Sequence, residues 1–337
     1  MNKNNYYSIK FLEDRLSYLN QTKLPLQEVY VETDDFERIA IAIERLEIRG
    51  APLIGISAAY ALALGFKNIK SDHREHFKKV YERLASTRPT AVNLFYALNR
   101  MRGVFGSIND YSNIYQILLN EAHSIYKYEE LCSVKMGEIG SRIFVKKSNV
   151  LTHCNTGALA TAGFGTAFSV IKKAYDFGLV NHVYADETRP LLQGLRLTSY
   201  ELEKNGIPFT VQTDSTAAVL MQQGKVDLVI TGADRIALNG DSANKVGTYN
   251  LAVLCNFHNI PFYIAAPSTT IDRKTATGNE IEIEYRDGNE ILAINGIQIA
   301  NPNLKTFSPA FDVTPSHLIR GIVTEEDLYT FPYNFIK

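Results

Sequence analysis

The chain has 337 residues, 45% hydrophobic and 21% charged, which at ~100–200 residues per domain predicts about two globular domains and excludes wholesale disorder or a fibrous repeat. Lys+Arg 35 against Asp+Glu 36 leaves a formal charge of -1, so no single-sign field argues for nucleic acid or an anionic membrane surface. Three cysteines (Cys132, Cys154, Cys255) share no CxxC spacing and cannot all pair within the chain, which predicts reduced thiols. The N-terminal MNKNNYYSIKFLEDRL lacks the apolar core of a signal peptide. The most apolar stretch, 51–66, is interrupted by Ser57 and falls short of the ~20 residues a bilayer requires. The expectation is a cytoplasmic protein without a membrane segment.

Along the chain, residues 1–130 are predicted to form a mostly helical N-terminal domain. Segments 36–46, 52–66, 74–84, 91–104 and 114–143 carry apolar residues at i, i+3, i+4 spacing, and the last bridges the two halves. Residues 131–337 form the second domain. From about 148 short apolar runs, the candidate strands 150–154, 182–185, 209–213, 226–231 and 262–265, alternate with candidate helices 158–177, 191–204, 216–223 and 249–258. Gly178, Gly206 and Gly224 punctuate helix ends, and Pro208 and Pro261 precede strands. This repeat predicts right-handed crossovers and an α/β fold: a Rossmann-like, doubly wound parallel sheet with helices on both faces. Near the end, Thr314-Pro315 predicts the cap and first residue of a last helix over LIRGIV.

In such a sheet ligands bind beyond the carboxyl ends of the strands. There stand Cys154-Asn155-Thr156-Gly157, Asp186-Glu187-Thr188-Arg189, Asp214-Ser215, Gly232-Ala233-Asp234-Arg235 and Ala266-Pro267-Ser268. Four of five strands thus end on a thiol or carboxylate, more than a structural rim needs. Cys154 is either a small apolar filler or a thiol activated by the following helix N-terminus. Adjacent strand residues face opposite ways, which disfavours a catalytic Cys–His pair of Cys154 with His153 within this strand. Asp234 is either a cap or partner of Arg235, or a carboxyl that apolar walls keep protonated as a general acid.

The polar run 239–248 includes Asn244 and Lys245 and leads into a helix, where free backbone amides suit an oxyanion or sugar hydroxyl. It is not a Walker A loop, and Gly163-Phe164-Gly165 lies inside a predicted helix rather than between strand and helix, which disfavours nicotinamide cofactors. In the first domain, Arg49 with the amides of Gly50 and Ala51 precedes Pro52 at a helix start and makes a phosphate cradle. Arg88-Pro89-Thr90 repeats the arrangement, with Thr90 as the cap. The histidines show no metal-ligand spacing.

Together the motifs resemble one family, the 5-methylthioribose-1-phosphate isomerases of methionine salvage. The matching blocks are NQTKLP (20–25), RGAPLIG (49–55), RPTAVN (88–93), HCNTGALATAGFGTA (153–167), ADETRPLLQGLRLT (185–198), GADRIALNGDSANKVGTYNLAV (232–253), IPFYIAAPSTTID (260–272) and PAFDVTP (309–315). The resemblance spans essentially the whole chain. It implies Cys154 as catalytic thiol, Asp234 as catalytic acid, and Arg49, Gly50, Ala51, Arg88, Gln193, Asn244 and Lys245 as substrate-binding residues. It further implies a small phosphorylated sugar substrate, no metal or organic cofactor, and a homodimer. The neighbouring possibilities are isomerases of 5-deoxyribose 1-phosphate or ribose 1,5-bisphosphate. Leu191 and Leu192, where the bisphosphate enzymes carry an extra arginine, favour an apolar C5 group. A non-catalytic subunit like those of the initiation-factor guanine-nucleotide exchange factor shares the fold but need not keep both the thiol and the acid.

Overall fold

A computed structural model describes residues 6–294 and 296–335; the first five residues of the N-terminal stretch lie outside that set. The chain forms two compact units. One contains residues up to Val134 together with Gly157–Gly165, the other Lys135–Thr156 and the residues from Thr166 onward.

The first unit opens with an antiparallel sheet that a mostly helical reading omits: β1 (Ile9–Leu12), β2 (Arg15–Leu19) and β3 (Tyr30–Thr33), paired in that order. Helices α1 (Phe36–Glu44), α2 (Ala51–Leu64), α3 (His73–Ala85), α4 (Val92–Gly106) and α5 (Ile114–Gly140) follow, close to the expected segments. Asp35 caps α1 by accepting the Glu37 N–H, and Ile39, Ala40 and Ile43 turn inward. Every residue of α2 from Pro52 to Leu64 is buried, so its all-round apolarity reflects the centre of a core. Among the described residues no helix is long and apolar enough to cross a membrane. Helix α5 continues past Val134 and supplies residues to both units.

The second unit contains β4 (Ser148–Thr152), α6 (Ala167–Asp176), β5 (Val180–Asp186), α7 (Ser199–Lys204), β6 (Phe209–Gln212), α8 (Thr216–Gln222), β7 (Leu228–Thr231), β8 (Arg235–Ala237), β9 (Ser242–Lys245), α9 (Thr248–His258) and β10 (Phe262–Ala265). It ends with β11 (Ile271–Asp272), a short α10 (Asn289–Leu292), the pair β12 (Ala293–Ile294) and β13 (Ile297–Gln298), then β14 (Phe311–Thr314), β15 (Gly321–Val323) and β16 (Leu328–Thr330). Among the described residues a seven-stranded sheet has the order β16-β15-β10-β7-β4-β5-β6, parallel except where β16 pairs with β15. The five predicted strands form its middle and one edge. From β4 the chain steps outward through β5 to β6, then returns to β7 on the other side and continues to β10. Right-handed crossovers therefore set α6 and α7 on one face and α8 and α9 on the other. A second sheet, β11-β8-β9-β14, lies in the same unit.

Two predicted helices are corrected. Residues 315–323 form a 3-10 turn, Ser316–Leu318, and then β15, whose three residues are buried beside β10. Residues 158–177 become helical only from Ala167, after a single 3-10 turn at Ala158–Ala160, because Gly163 and Gly165 take left-handed φ of 65° and 93°. Gly163-Phe164-Gly165 thus does lie between strand and helix. Phe168 stands where the dinucleotide fingerprint has its third glycine, so that motif is still incomplete.

Candidate active site

The strand order reverses between β4 and β7, the place where doubly wound sheets bind ligands. Cys154 stands two residues beyond β4 and Asp234 three beyond β7. The pairing Val150↔Leu228 and Leu151↔Val229, with Thr152 Oγ1 donating to the Ile230 carbonyl at 2.9 Å, fixes how these strands end together. Carried past the strand ends, that register brings Cys154 level with Gly232, two residues before Asp234. Asp234 is half-buried, and its N–H donates to the Ala243 carbonyl at 2.9 Å, tying it to β9.

Cys154 is buried and has a left-handed φ of 62°. A non-glycine residue there costs of order 1–3 kcal/mol, so the surroundings must hold it. They do: its N–H donates to Thr188 Oγ1 at 2.8 Å, and its carbonyl accepts from Thr198 Oγ1 at 2.5 Å. Thr188 and Leu192 are left-handed too, at 64° and 58°. Asp214 braces that loop, accepting the Thr188 and Arg189 N–H groups at 2.7 and 2.8 Å. Strained non-glycine residues gathered beyond the ends of two neighbouring strands, β4 and β5, mark a site whose geometry is over-determined.

Gln193 lies in the same loop, just before a π-helical turn at Gly194–Thr198. It is 4% exposed, and its Oε1 accepts no hydrogen bond among the described residues. A buried carbonyl oxygen without a donor is costly to leave so, and a substrate hydroxyl would satisfy it. Arg189, by contrast, spends its guanidinium on the carbonyls of Pro190 and Ile291, at 3.1 and 2.9 Å.

Asn244 and Lys245 sit on β9 rather than in the expected loop, and all four residues of the strand are buried. Asn244 Nδ2 donates to Thr248 Oγ1 at 2.9 Å. Lys245 Nζ donates to the Ala310 carbonyl at 2.7 Å and lies 4.7 Å from the centre of the Phe311 ring. The helix start beyond them is not an open anion site. Asp312 accepts the N–H groups of Gly247 and Tyr249, at 2.6 and 3.1 Å, and burial pushes its carboxyl above the usual range.

Not all rim acids are free for chemistry. Asp214 holds backbone, and Asp186 is buried between His153 Nδ1 at 3.0 Å and Gln212 Nε2 at 3.0 Å. His153, Asp186 and Asp214 place ligand-type atoms within 4.8 Å of one another. Both His153 ring nitrogens nevertheless face acceptors, Asp186 and the Val246 carbonyl at 2.9 Å, which leaves no lone pair for a metal. The same two bonds keep the ring from acting as a base toward Cys154.

In the first unit, Gly50 is the residue before α2, with φ 94°, and a Cβ on it would stand 2.4 Å from Ala160 Cα. The 157–165 segment that follows Cys154-Asn155-Thr156 therefore packs directly on the start of α2. Gln21 Nε2 donates to the Leu159 carbonyl at 2.6 Å and Ser8 Oγ to the Thr161 carbonyl at 3.3 Å, securing it further. Arg49, Ala51 and Arg88 are half-buried. Residue Ala91 rather than Thr90 precedes α4, without a side-chain cap.

Sequence reasoning missed Thr188, Thr198 and Asp312 as the groups that hold the site's backbone. It also missed Glu201, fully buried on α7, which accepts from Asn155 Nδ2 at 2.6 Å. The one signal for Asp312 was its place in the block PAFDVTP.

Residues 47–330 match the model of the Initiation factor 2 subunit family. A methylthioribose-1-phosphate isomerase of Desulfitobacterium hafniense is 48% identical over 333 residues, covering 97% of this chain and 96% of its own. The crystal structure of 5-methylthioribose 1-phosphate isomerase from Pyrococcus horikoshii superposes with a TM-score of 0.90 at 40% identity, covering 97% of this chain and 93% of that one. A structure described as translation initiation factor eIF-2B subunit delta from A. fulgidus has a TM-score of 0.86 at 39% identity, with 98% and 97% covered. This chain belongs to the Initiation factor 2 subunit family and, within it, to the methylthioribose-1-phosphate isomerases.

Proposed function

We propose that this protein is an aldose–ketose isomerase converting 5-methylthio-D-ribose 1-phosphate to 5-methylthio-D-ribulose 1-phosphate. The observation that carries the reading is a thiol, Cys154, and a carboxyl, Asp234, beyond the two strands that flank the reversal of strand order. The names of the D. hafniense and P. horikoshii proteins support it.

The substrate is an aldose locked as a ring by its anomeric phosphate ester, so it has no free aldehyde to enolise. Asp234 donates its proton to the ring oxygen as the C1–O4 bond opens, which leaves C1 short of electrons. The C2 hydrogen passes to C1, and the C2 hydroxyl releases its proton to water as the ketone forms, while Asp234 regains a proton from solvent and no net proton is consumed. Cys154 stands at the C1–C2 edge and takes part in that transfer. Arg49, Gly50, Ala51, Arg88, Gln193, Asn244 and Lys245 bind the phosphate and sugar hydroxyls. The unpaired Gln193 carbonyl oxygen suits a hydroxyl donor. No step calls for a metal or an organic cofactor.

An apolar C5 group fits the Leu191-Leu192 loop, whose Arg189 is already tied to backbone carbonyls. The kcat/KM for the 5-methylthio sugar is expected to exceed that for 5-deoxyribose 1-phosphate by roughly 10- to 200-fold, as apolar contacts of this size allow. Ribose 1,5-bisphosphate should be the poorest of the three; a preference for it would overturn the substrate assignment. The exchange-factor scaffold has the A. fulgidus description in its favour. A scaffold needs neither Cys154 nor Asp234, and turnover of any of these sugars decides against it.

The protein is further read as a cytoplasmic homodimer. Cys132, Cys154 and Cys255 are buried thiols outside any disulfide among the described residues, in keeping with a reducing compartment. Tyr249, Val253 and Phe257, spaced one turn apart on α9, are 44%, 41% and 77% exposed, an apolar stripe suited to a second copy of the chain. Light scattering should give about twice the mass of one chain, as for a closed two-fold dimer. A monomer mass at micromolar concentration contradicts it.

A further inference from the structure

His153, the residue before Cys154, is a titratable side chain that the chemistry above does not use. It is 1% exposed, and each ring nitrogen has an acceptor: Asp186 Oδ2 at 3.0 Å from Nδ1 and the Val246 carbonyl at 2.9 Å from Nε2. With Asp186 ionised, the two acceptors require two N–H donors, and an imidazole has two only when charged. The Val246 carbonyl belongs to the turn directly after Asn244 and Lys245. Gly247 of that turn, φ 105°, presses on the ring, where a Cβ would stand 2.9 Å from Cε1. From the other side Asp312 takes the Gly247 N–H at 2.6 Å. Asp186 is itself held by Gln212 Nε2 at 3.0 Å.

We propose that His153 is a positioning residue of this isomerase: a buried imidazolium, bridging Asp186 on β5 and the Val246 carbonyl, that locks the strand end bearing Cys154 to the turn bearing Asn244 and Lys245. The inference rests on the isomerase reading for its kinetic part only. The charged groups acting on the ring are Asp186, Asp214 and Asp312, and Lys245 acts in turn on Asp312. Burial alone disfavours the charged ring, but Asp186, with Asp214 and the Val246 carbonyl, outweighs it and holds His153 above the usual histidine range. The bridge therefore contributes fully below the ordinary histidine pKa and is lost only as pH rises through the raised folded value.

The test starts with nitrogen-15 NMR of histidine-labelled full chain, the His153 resonances identified by their loss in His153→Gln. Both ring nitrogens should report bound protons at a pH where exposed imidazoles are neutral; one unprotonated nitrogen there overturns the proposal, whatever the enzyme's substrate. In Asp186→Asn the ring should lose its second proton at lower pH, and the basic limb of kcat/KM should move down with it. His153→Gln, which cannot donate to both acceptors, is expected to raise KM by roughly tenfold or more while kcat falls less, the pattern of lost binding geometry. A folded His153→Gln with wild-type KM and pH profile overturns the proposal. If that variant does not fold, the ring resonances that shift in Asp186→Asn identify His153, and their protonation in the labelled wild-type chain still decides.

Discussion

Cys154→Ser is expected to lower kcat by roughly 10³- to 10⁴-fold with KM within about twofold of the wild type, because a hydroxyl keeps the shape of the site but takes poorly to the thiol's part in hydrogen transfer. The backbone there is strained at φ 62°, and Thr188 and Thr198 bond its N–H and carbonyl, so those two bonds stay in place when the side chain changes. Thermal unfolding should accordingly shift by no more than a few degrees, roughly the effect of ~1 kcal/mol in a chain of this size. Steady-state kinetics with a parallel melting curve checks both halves. A variant retaining more than a tenth of wild-type kcat would return Cys154 to the role of apolar filler.

Asp234→Asn is the second large effect. The amide is close in size to the carboxyl but has no acidic proton for the ring oxygen, and the lost general-acid step is worth roughly 10²- to 10⁴-fold in kcat. Because the Asp234 backbone, not its side chain, makes the bond to Ala243 on β9, the surrounding loop should keep its place. Asp234→Glu, which restores the proton donor at a slightly displaced position, should recover part of the rate. Equal rates for the Asn and Glu variants would show that shape, not the proton, is what the position supplies.

Much of the second unit could be read in advance because its signals are local. Apolar runs of four to six residues, alternating with helical periods that end on a Gly or Pro, mark β4, β5, β6, β7 and β10, and their ends place Cys154 and Asp234 at the rim. The N-terminal sheet was hidden for an equally local reason. Its first hairpin turns on Glu13-Asp14, left-handed at 48° and 57°, where the usual sequence signal is Asn-Gly. LIRGIV is a short apolar run that periodicity cannot assign; pairing beside β10 makes it a strand. ALATAGFGTA has helix-forming composition, but its glycines take left-handed conformations and its backbone is held by Gln21 and Ser8, far away in sequence. SANK shows no strand period because all four of its residues are buried. The candidate site divides the same way. Thiol and acid follow from strand ends, whereas the His153 bridge joins residues 33 and 93 positions apart, beyond any spacing rule.

Turnover of an anomeric sugar phosphate by this chain can be followed by phosphorus NMR of the purified protein with 5-methylthioribose 1-phosphate. The anomeric phosphate signal should disappear and a primary-alkyl phosphate signal grow in its place without release of inorganic phosphate. A folded wild-type protein that leaves the anomeric signal unchanged, or that produces inorganic phosphate, would contradict it.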